Sequence, residues 1–477
     1  MKRLLALLPV IACTHAKHTT ELASTGTPLV SAVDPKLVDM TAEPTASMVL
    51  ANAVSDLGIR VRITARDLPS AKRPPLDLAL VLDTSGSMEG KPIDALRASA
   101  RELAGKLRDG DHLSVVVFNS KAEVLVPSVI VTEGNRAKID HAIENIHATG
   151  TTDLVDGLTL GLSQLTSGIM LNSINRIVLL SDGVPNSSVA LPQIVVAIRQ
   201  AGVSVTSLGF GIDYDTTLMT QIARDTGGAF HYLEQPDQVA KVFDAELVKM
   251  KSSVARSLQL ELEPGPGVTI VAMPGLTPGA DGKMYAAIGD LPAGETRDLM
   301  IPIRVSGRSD GATAELVQAT LHFEDVIGRS GLRERDAFVA VKTSNDSAAV
   351  IGSIKMDLEV ARIRASAAAA ILGALTLARS GQIQPARQGL AAATAIVKAA
   401  AAKYKDAGLD ELVKQLDEVA REIAQIVVAA PVQQIGNNKS NTYKRPMPPP
   451  STAPSAETES GLRRAEEKAS AVVRGGE

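Results

Sequence analysis

The stretch LDLALVLDTSGSMEGK, residues 76–91, joins an apolar run directly to a loop of acidic, hydroxyl and glycine residues. An apolar run with almost no polar alternation is typical of a strand buried on both faces of a sheet. The next residues, PIDALRASARELAGKL, carry apolar side chains at helical spacing. A buried strand, a short polar loop and a helix predict the start of an α/β domain with a mostly parallel sheet.

The same alternation of strand and helix patterns continues to about residue 248. In a doubly wound sheet of this kind, the ligand crevice lies at the carboxyl ends of the strands. Asp83 and Asp182 each follow a buried strand pattern, so both are expected at that edge. The strand patterns are HLSVVVFNS, SVIVT, RIVLLSDG and VSVTSLGFG, and the helix patterns are RAKIDHAIENIH, LVDGLTLGLSQL, LPQIVVAIRQAG and DTTLMTQIARDTGG.

Five oxygen-bearing side chains are expected near one point at this edge. Asp83, Ser85 and Ser87 alternate along the first loop, Asp182 ends a later strand, and Thr152 lies in the loop ATGTTDLVDG. Two carboxylates and three hydroxyls suit a hard cation such as Mg²⁺. Because the hydroxyl ligands are neutral, the metal stays electrophilic, and a sixth position could take a carboxylate from a partner.

Three short motifs resemble the von Willebrand factor type A domain and its metal-ion-dependent adhesion site. They are D-T-S-G-S at residues 83–87, G-T-T-D-L at 150–154 and L-L-S-D-G at 179–183. The resemblance implies a Rossmann-like, doubly wound α/β domain over 76–248 that binds Mg²⁺, or Mn²⁺ or Ca²⁺, and a protein ligand. The family's spacing from Gly150 selects Thr152 rather than Thr151. The implied metal ligands are Asp83, Ser85, Ser87, Thr152 and Asp182.

Each of these residues also has an ordinary structural explanation when taken alone. Asp83, Ser85 and Ser87 could bond to loop amides, Thr152 could cap its helix, and Asp182-Gly183 is a common turn pair. Their joint occurrence in order favours the metal site. The sequence GSMEGKP departs from a phosphate-binding loop, and neither H-E-x-x-H nor G-x-S-x-G occurs. We therefore predict no enzymatic activity.

The N-terminal residues 1–13 predict a secretion signal. Lys2 and Arg3 precede a short apolar run that is below the roughly 20 residues needed to span a bilayer. The run ends in VIAC, which resembles the lipobox of bacterial lipoproteins and implies acylation of Cys13. Thr14 after the cysteine favours the outer membrane within that resemblance. The alternative is an ordinary cleaved signal with an incidental thiol.

The remaining segments have different compositions from the α/β domain. Residues 14–47 are rich in Thr, Ser, Ala and Pro and predict a flexible tether, while 48–75 predict strands that pair with a later β-sandwich. Short alternating runs predict that sandwich over 253–342. An Ala-rich helical region follows over 347–428, an order that resembles inter-α-inhibitor-like proteins. The Pro- and charge-rich residues 431–477 predict a disordered tail.

Composition narrows the functional classes. The formal net charge is −4 and aromatic residues make up 2% of the 477 residues, which argues against nucleic-acid binding. A single cysteine excludes an intramolecular disulfide framework. The predicted function is a membrane-anchored, divalent-cation-dependent protein-binding module of the cell envelope. The alternatives are an envelope scaffold with a structural metal and a regulatory subunit of an ATPase or chelatase-type complex, although a lipid anchor argues against that cytoplasmic role.

Overall fold

The computed structural model describes residues 37–68, 74–167, 173–210, 215–235, 238–328, 331–425, 456–473 and 475. The predicted signal, Cys13 and most of the predicted tether lie outside these residues. The described chain forms an α/β domain, a two-sheet β-sandwich built from segments on both sides of that domain, and a set of helices.

Three short segments precede the α/β domain, and all three are strands. They take part in the sandwich rather than in the α/β sheet. These strands are β1 (Val38–Pro44), β2 (Met48–Leu50) and β3 (Ser55–Ala65).

The α/β domain has a six-stranded sheet whose central strand comes first in the chain. Strand order is β6-β5-β4-β7-β8-β9, and all neighbours are parallel except the antiparallel edge strand β6. Every residue of β4 is buried, as its unalternating sequence predicts. The strands are β4 (Leu76–Asp83), β5 (His112–Phe118), β6 (Ala122–Ile130), β7 (Ile174–Ser181), β8 (Ser204–Phe210) and β9 (Phe230–Leu233).

Helices cover both faces of this sheet, and each face packs against its helices in an apolar cluster of its own. Close approach depends on glycine in one helix, because a Cβ on Gly161 would lie 2.6 Å from Val81 Cγ2 in the central strand. Full burial of a leucine such as Leu78 stabilises the fold by about 2 kcal/mol. The helices are α1 (Lys91–Lys106), α2 (Glu133–Glu144), α3 (Leu154–Thr166), α4 (Leu191–Gln200), α5 (Thr216–Asp225) and α6 (Gln238–Ser252), with a single 3₁₀ turn at Gly86–Met88.

The sandwich continues directly from the last helix of the α/β domain. Its sheets have the orders β1-β3-β14-β11 and β12-β13-β10-β15-β16-β2, so strands from before and after the α/β domain share both sheets. The added strands are β10 (Ser253–Pro264), β11 (Val268–Ile270), β12 (Thr277–Pro278), β13 (Met284–Pro292), β14 (Thr296–Val305), β15 (Thr313–Asp325) and β16 (Gly331–Ser344).

The structure corrects the predicted tether at its C-terminal end. Strand β1 lies within residues 14–47 and pairs antiparallel with β3 along its whole length. Val38 and Met40 are buried on one face of β1, while Asp39 between them is exposed. The period of two was present in the sequence, but it is short and lies among Thr, Ala and Pro.

Helices follow the sandwich. An apolar cluster joins the four longest of them along their buried faces, whereas the first and shortest helix has no buried residue. They are α7 (Ser347–Gly352), α8 (Met356–Arg379), α9 (Ile383–Tyr404), α10 (Ala407–Gln425) and α11 (Ala456–Val473).

Helix α11 corrects the predicted disorder of residues 431–477, of which 431–455 lie outside the described residues. Leu462, Ala465 and Ala469 are buried against the other helices. Glu466 is also buried and pairs with Arg379 at 2.7 Å. The high charge of this segment suggested solvation, but several of its charged side chains pair instead.

Helix α8 is long and apolar enough to cross a membrane by length and composition, the one such helix in the described part of the chain. Half of its most apolar window is buried inside the protein. Its buried residues, including Ile371 and Leu375, belong to the apolar cluster of the helical region. We therefore interpret α8 as the core helix of that region.

Candidate metal centre

The five predicted ligands lie on three loops at the carboxyl ends of the central strands. Asp83 is the last residue of β4, and Asp182 directly follows β7, its parallel neighbour. The Asp83 side chain is fully buried, and Ser85, Thr152 and Asp182 are 2%, 6% and 7% exposed. Ser87 is exposed at the rim. Four of the five residues are therefore buried, and Ser87 is the member open to solvent.

Hydrogen bonds connect four of the five residues. The Ser85 backbone N–H donates to Asp83 Oδ1 at 2.8 Å, and Ser87 Oγ donates to Asp182 Oδ1 at 2.7 Å. The two serine Oγ atoms are 3.1 Å apart. The structure thus brings both carboxylates and both serine hydroxyls into one continuous network.

Thr152 approaches the same point from the second loop. A Cβ on Gly183 would lie 2.7 Å from Thr152 Oγ1 and 3.6 Å from Asp83 Oδ2. Gly183 therefore lies close to both Thr152 and Asp83, and a side chain at this position would have to displace Thr152. The Gly86 N–H donates to the Gly150 carbonyl at 3.0 Å and joins the first loop to the second.

Thr151, the alternative ligand in the second loop, has other partners. Its Oγ1 donates to Ser120 Oγ at 3.1 Å and accepts from Asn186 Nδ2 at 3.0 Å. Thr151 is exposed, whereas Thr152 is buried beside the acids. Of the two threonines, Thr152 is therefore the one that lies near Asp83.

Sequence reasoning missed two supporting residues. Ser181 Oγ donates to Asp83 Oδ2, so the buried carboxylate accepts bonds at both oxygens. Asn186 donates its backbone N–H to the Thr152 carbonyl at 2.8 Å and connects the third loop to the second. A polar residue ending a buried strand was a signal for Ser181. Asn186 is one of several polar loop residues, and nothing in the sequence distinguishes it.

Burial dominates the electrostatics of the site. It raises the pKa of Asp83 above its ordinary value, while hydrogen bonds from Ser181 and Ser85 act in the opposite direction. A carboxylate buried without a cation is costly, and a bound divalent ion would offset that cost. The burial of Asp83 in a hydrogen-bond network that also contains Asp182 therefore fits a cation site.

The donor set also fits a hard cation. Over the residues that the structure describes, no group of three or more His, Cys, Asp or Glu side chains is placed to hold a metal. The candidate site accordingly depends on hydroxyl oxygens in addition to its two carboxylates. An all-oxygen set suits Mg²⁺, Mn²⁺ or Ca²⁺ rather than metals that prefer nitrogen or sulphur ligands.

Residues 77–245 match the family model of the von Willebrand factor type A domain. The match covers the six-stranded sheet and nearly all of its helices. The chain therefore contains a von Willebrand factor type A domain, as the three motifs predicted.

Curated relatives match part of the chain. The protein YfbK of Escherichia coli is 29% identical over 214 residues, which are 44% of this chain and 37% of that protein. The protein sll0103 of Synechocystis is 31% identical over 218 residues, 45% of this chain and 51% of that protein. Human inter-alpha-trypsin inhibitor heavy chain H4 is 28% identical over 164 residues, 32% of this chain and 18% of its own. The matches thus span about half or less of each relative.

Solved structures share more of the architecture. A von Willebrand factor type A structure from Catenulispora acidiphila has a TM-score of 0.63 at 19% identity and covers 80% of this chain and 89% of its own. The ArnB paralog VWA2 from Sulfolobus acidocaldarius has a TM-score of 0.55 at 16% identity and covers 91% of this chain and 98% of its own. The shared fold therefore extends beyond residues 77–245.

Proposed function

We propose that this protein is a membrane-anchored module that binds a partner protein through a divalent cation. The observation that carries the proposal is the convergence of two carboxylates and three hydroxyls at the carboxyl ends of two neighbouring strands. Asp83, Ser85, Ser87, Thr152 and Asp182 would hold the ion, with Mg²⁺ as the first candidate and Mn²⁺ or Ca²⁺ as alternatives.

The chemistry of these ligands supports an acidic partner. Three of the five ligands are neutral hydroxyls, which donate less electron density than carboxylates do and leave a bound divalent ion electrophilic. An ion with an open position at the exposed Ser87 edge would attract a further carboxylate. An Asp or Glu side chain of the partner is the group that best supplies it.

The membrane anchor forms the second half of the proposal. The sequence VIAC at residues 10–13 supports acylation of Cys13 and attachment to the cell envelope, with the outer membrane favoured by Thr14. Mass spectrometry of the membrane fraction tests this half separately. Acyl chains on Cys13, lost in Cys13→Ser together with membrane attachment, would support it, and an unacylated soluble chain would contradict it.

Capture from envelope extract in Mg²⁺ or EDTA tests the binding half. We expect the wild-type chain to retain a partner in Mg²⁺ and to release it in EDTA, and we expect Asp83→Ala to capture none. Asp109→Ala is the matched control, because Asp109 is an exposed aspartate of the same domain that pairs with Arg136 at the surface. Identical capture by the wild-type and Asp83→Ala chains in both conditions would contradict the proposal.

Two further measurements, thermal unfolding in EDTA and capture from the cytoplasmic fraction, separate the alternatives. An envelope scaffold with a structural metal would lose thermal stability in EDTA and keep its partners. A regulatory subunit of an ATPase or chelatase-type complex would capture an ATPase from the cytoplasmic fraction.

A further inference from the structure

A long open groove lies between helices α9 and α10, away from the metal centre. Its volume is about 1040 Å³. The two helices are joined by residues 405–406 and run antiparallel, so that Lys398 of α9 lies 3.4 Å from Asp417 of α10. From Gln384 to Lys398 the groove extends about 21 Å at 1.5 Å per residue, which is the length of about four helical turns.

The floor of the groove consists of small side chains. Ala391 and Ala395 on α9 and Ala424 on α10 are exposed in it, and Ala420 is half-buried. Larger residues of the same helices, such as Leu390 and Leu416, point into the buried cluster on the other side. Alanine along the exposed side would let the backbone of a third helix come close.

Basic side chains outnumber acidic ones along the groove. Four basic side chains and a single acidic one, Asp417, line it, and Lys398 already pairs with that acid. Lys414 pairs with Glu411 on the exposed surface of α10. Within the described residues, Arg387 has no carboxylate partner. The basic residues are Arg387, Lys398, Lys414 and Arg421.

The chain's own next segment is a poor match for this groove. Residues 426–455 directly follow α10 and contain no Asp or Glu, whereas Lys439, Lys444 and Arg445 are basic. Like charges would repel this segment from the groove. Charge complementarity therefore favours an acidic segment from another protein.

We propose that the α9–α10 groove is a docking site for an acidic α-helix of a partner protein. The helix presents small residues to the alanine floor and carboxylates to the basic rims. Lys414 and Arg421 are two turns apart, about 10 Å, and Arg387 and Lys398 are three turns apart, about 16 Å. The partner helix therefore carries acids at a seven-residue spacing on one flank and at an eleven-residue spacing on the other, both of which repeat on one side of a helix.

A synthetic peptide tests the docking site on the whole chain. The probe is an alanine-based helix of about 18 residues, long enough to form in water, with four Glu at these two spacings. A peptide with Gln in place of Glu is its control. Fluorescence anisotropy should show saturable binding of the Glu peptide at low salt, weakening as salt screens the charges, and at least about fivefold weaker binding of the Gln peptide.

Two variants of the protein test where the peptide binds. Arg387→Glu should weaken binding by roughly tenfold, while Arg108→Glu, the same change at an exposed arginine of the α/β domain, should leave it unchanged. Ala391→Trp should block the groove without changing its charge, and its position on the exposed side of α9 leaves the helix core intact.

Several results would overturn the proposal. These are absence of saturable Glu-peptide binding, equal binding of the Glu and Gln peptides, and equal effects of Arg387→Glu and Arg108→Glu. Binding of the protein to anionic lipid vesicles is measured as well. If vesicles, and not the peptide, bind in a manner that Arg387→Glu abolishes, the groove contacts a membrane surface and the helix-docking proposal is wrong.

Discussion

Burial and hydrogen bonding act on the pKa of Asp83 in opposite directions. It is fully buried, which raises its pKa, and yet it accepts hydrogen bonds from the Ser85 backbone and from Ser181 that favour the carboxylate. A fold that buries an acid and then surrounds its charged form with donors is adapted to a positive charge nearby. The motif reveals Asp83 in the sequence, whereas the role of Ser181 depends on which strands become neighbours.

We expect Asp83→Asn to remove the stabilisation that Mg²⁺ confers. A ligand that binds the folded chain at 100 times its Kd stabilises that chain by about 2.7 kcal/mol, and the amide lacks the charge that holds the ion. Thermal unfolding with and without Mg²⁺ measures the difference. The metal should raise the Tm of the wild type and of Asp109→Asn but leave that of Asp83→Asn unchanged; an equal rise in all three would place the ion elsewhere.

Asp77 lies at the other end of the same strand, and we expect it to make the stability of the fold depend on pH without any metal. Burial raises its pKa to about 7, and among the described residues its Oδ1 has no hydrogen-bond partner. Because the folded pKa lies above the unfolded value, its contribution to stability is complete below about pH 4 and is lost as pH rises through 7. Asp77→Asn should remove this loss of stability at high pH, because the amide does not ionise.

Urea unfolding at pH 5.5 and pH 8.5 measures the Asp77 effect. The wild type should lose more stability than Asp77→Asn between the two values. The matched change at an exposed residue, Asp109→Asn, should keep the wild-type dependence. Parallel pH profiles for wild type and Asp77→Asn would show that Asp77 titrates as it does in the unfolded chain.

At the scale of elements, the sequence predicted those whose pattern is long and uninterrupted. Unalternating runs predicted the buried strands β4 and β7, and helical spacing predicted α1. Strand β1 was missed because its period of two covers few residues. Helix α11 was missed because Arg463 and Glu466 are buried in ion pairs, which only the packing of distant helices makes favourable. Asn186 was also missed, because its hydrogen bonds join two loops that only the folded chain brings together.

The α/β domain and the sandwich are in contact at two glycines, one from each domain. We predict that a single methyl group added at this contact strongly lowers the free energy of unfolding. Gly289 in β13 has φ +85°, and a Cβ there would lie 1.8 Å from the Gly227 carbonyl oxygen just before β9. Gly289→Ala should therefore destabilise the protein by about 3 kcal/mol or more, because backbone must move in both domains.

Gly282→Ala is the matched control for this contact. Gly282 has φ +81°, and a Cβ there would meet no atom within 4 Å. Gly282→Ala should lower the free energy of unfolding only by the backbone strain, which is about 1–2 kcal/mol. Equal losses for the two variants in urea unfolding would show that strain, rather than the close approach of the domains, sets the effect at Gly289.

At the scale of the whole molecule, a buried ionic cluster joins all three parts. Arg176 of β7 donates to Asp290 of the sandwich at 2.6 Å and lies 3.4 Å from Glu246 of α6. His231 of β9 lies 3.3 Å from Glu246 and 3.5 Å from Glu467 of α11. Buried ion pairs add little net stability, so we infer that the cluster fixes how the parts are oriented.

The cluster predicts that the attachment of α11 depends on pH. Burial disfavours the charged imidazolium, but hydrogen bonds with Glu246 and Glu467 outweigh it and raise the pKa of His231. Lys249 and Arg176 also face Glu246, and Asp290 pairs with Arg176 on its other side. The contribution of His231 is therefore complete below its ordinary pKa of about 6.5 and is lost as pH rises through the raised value.

Hydrogen exchange of α11 measures this effect locally, apart from the titration of Asp77. After correction for intrinsic exchange rates, α11 should be better protected at pH 6 than at pH 8.5. His231→Gln, which keeps a polar side chain but cannot become charged, should abolish the difference. Unchanged pH dependence in that variant would show that the other contacts of α11, such as Arg379 with Glu466, determine its attachment.

The order of strands in the sandwich has a consequence for biosynthesis. Strand β3 pairs with β14, and Ile59 faces Ile301, with the entire α/β domain between them in the chain. At 5–20 residues per second, a ribosome needs about 12–50 s to make the ~240 residues that separate the two partners. The α/β domain is continuous and can fold during that interval, whereas β1 and β3 must wait with an unpaired edge. The newly made N-terminal strands are therefore the part of the nascent chain most in need of a chaperone.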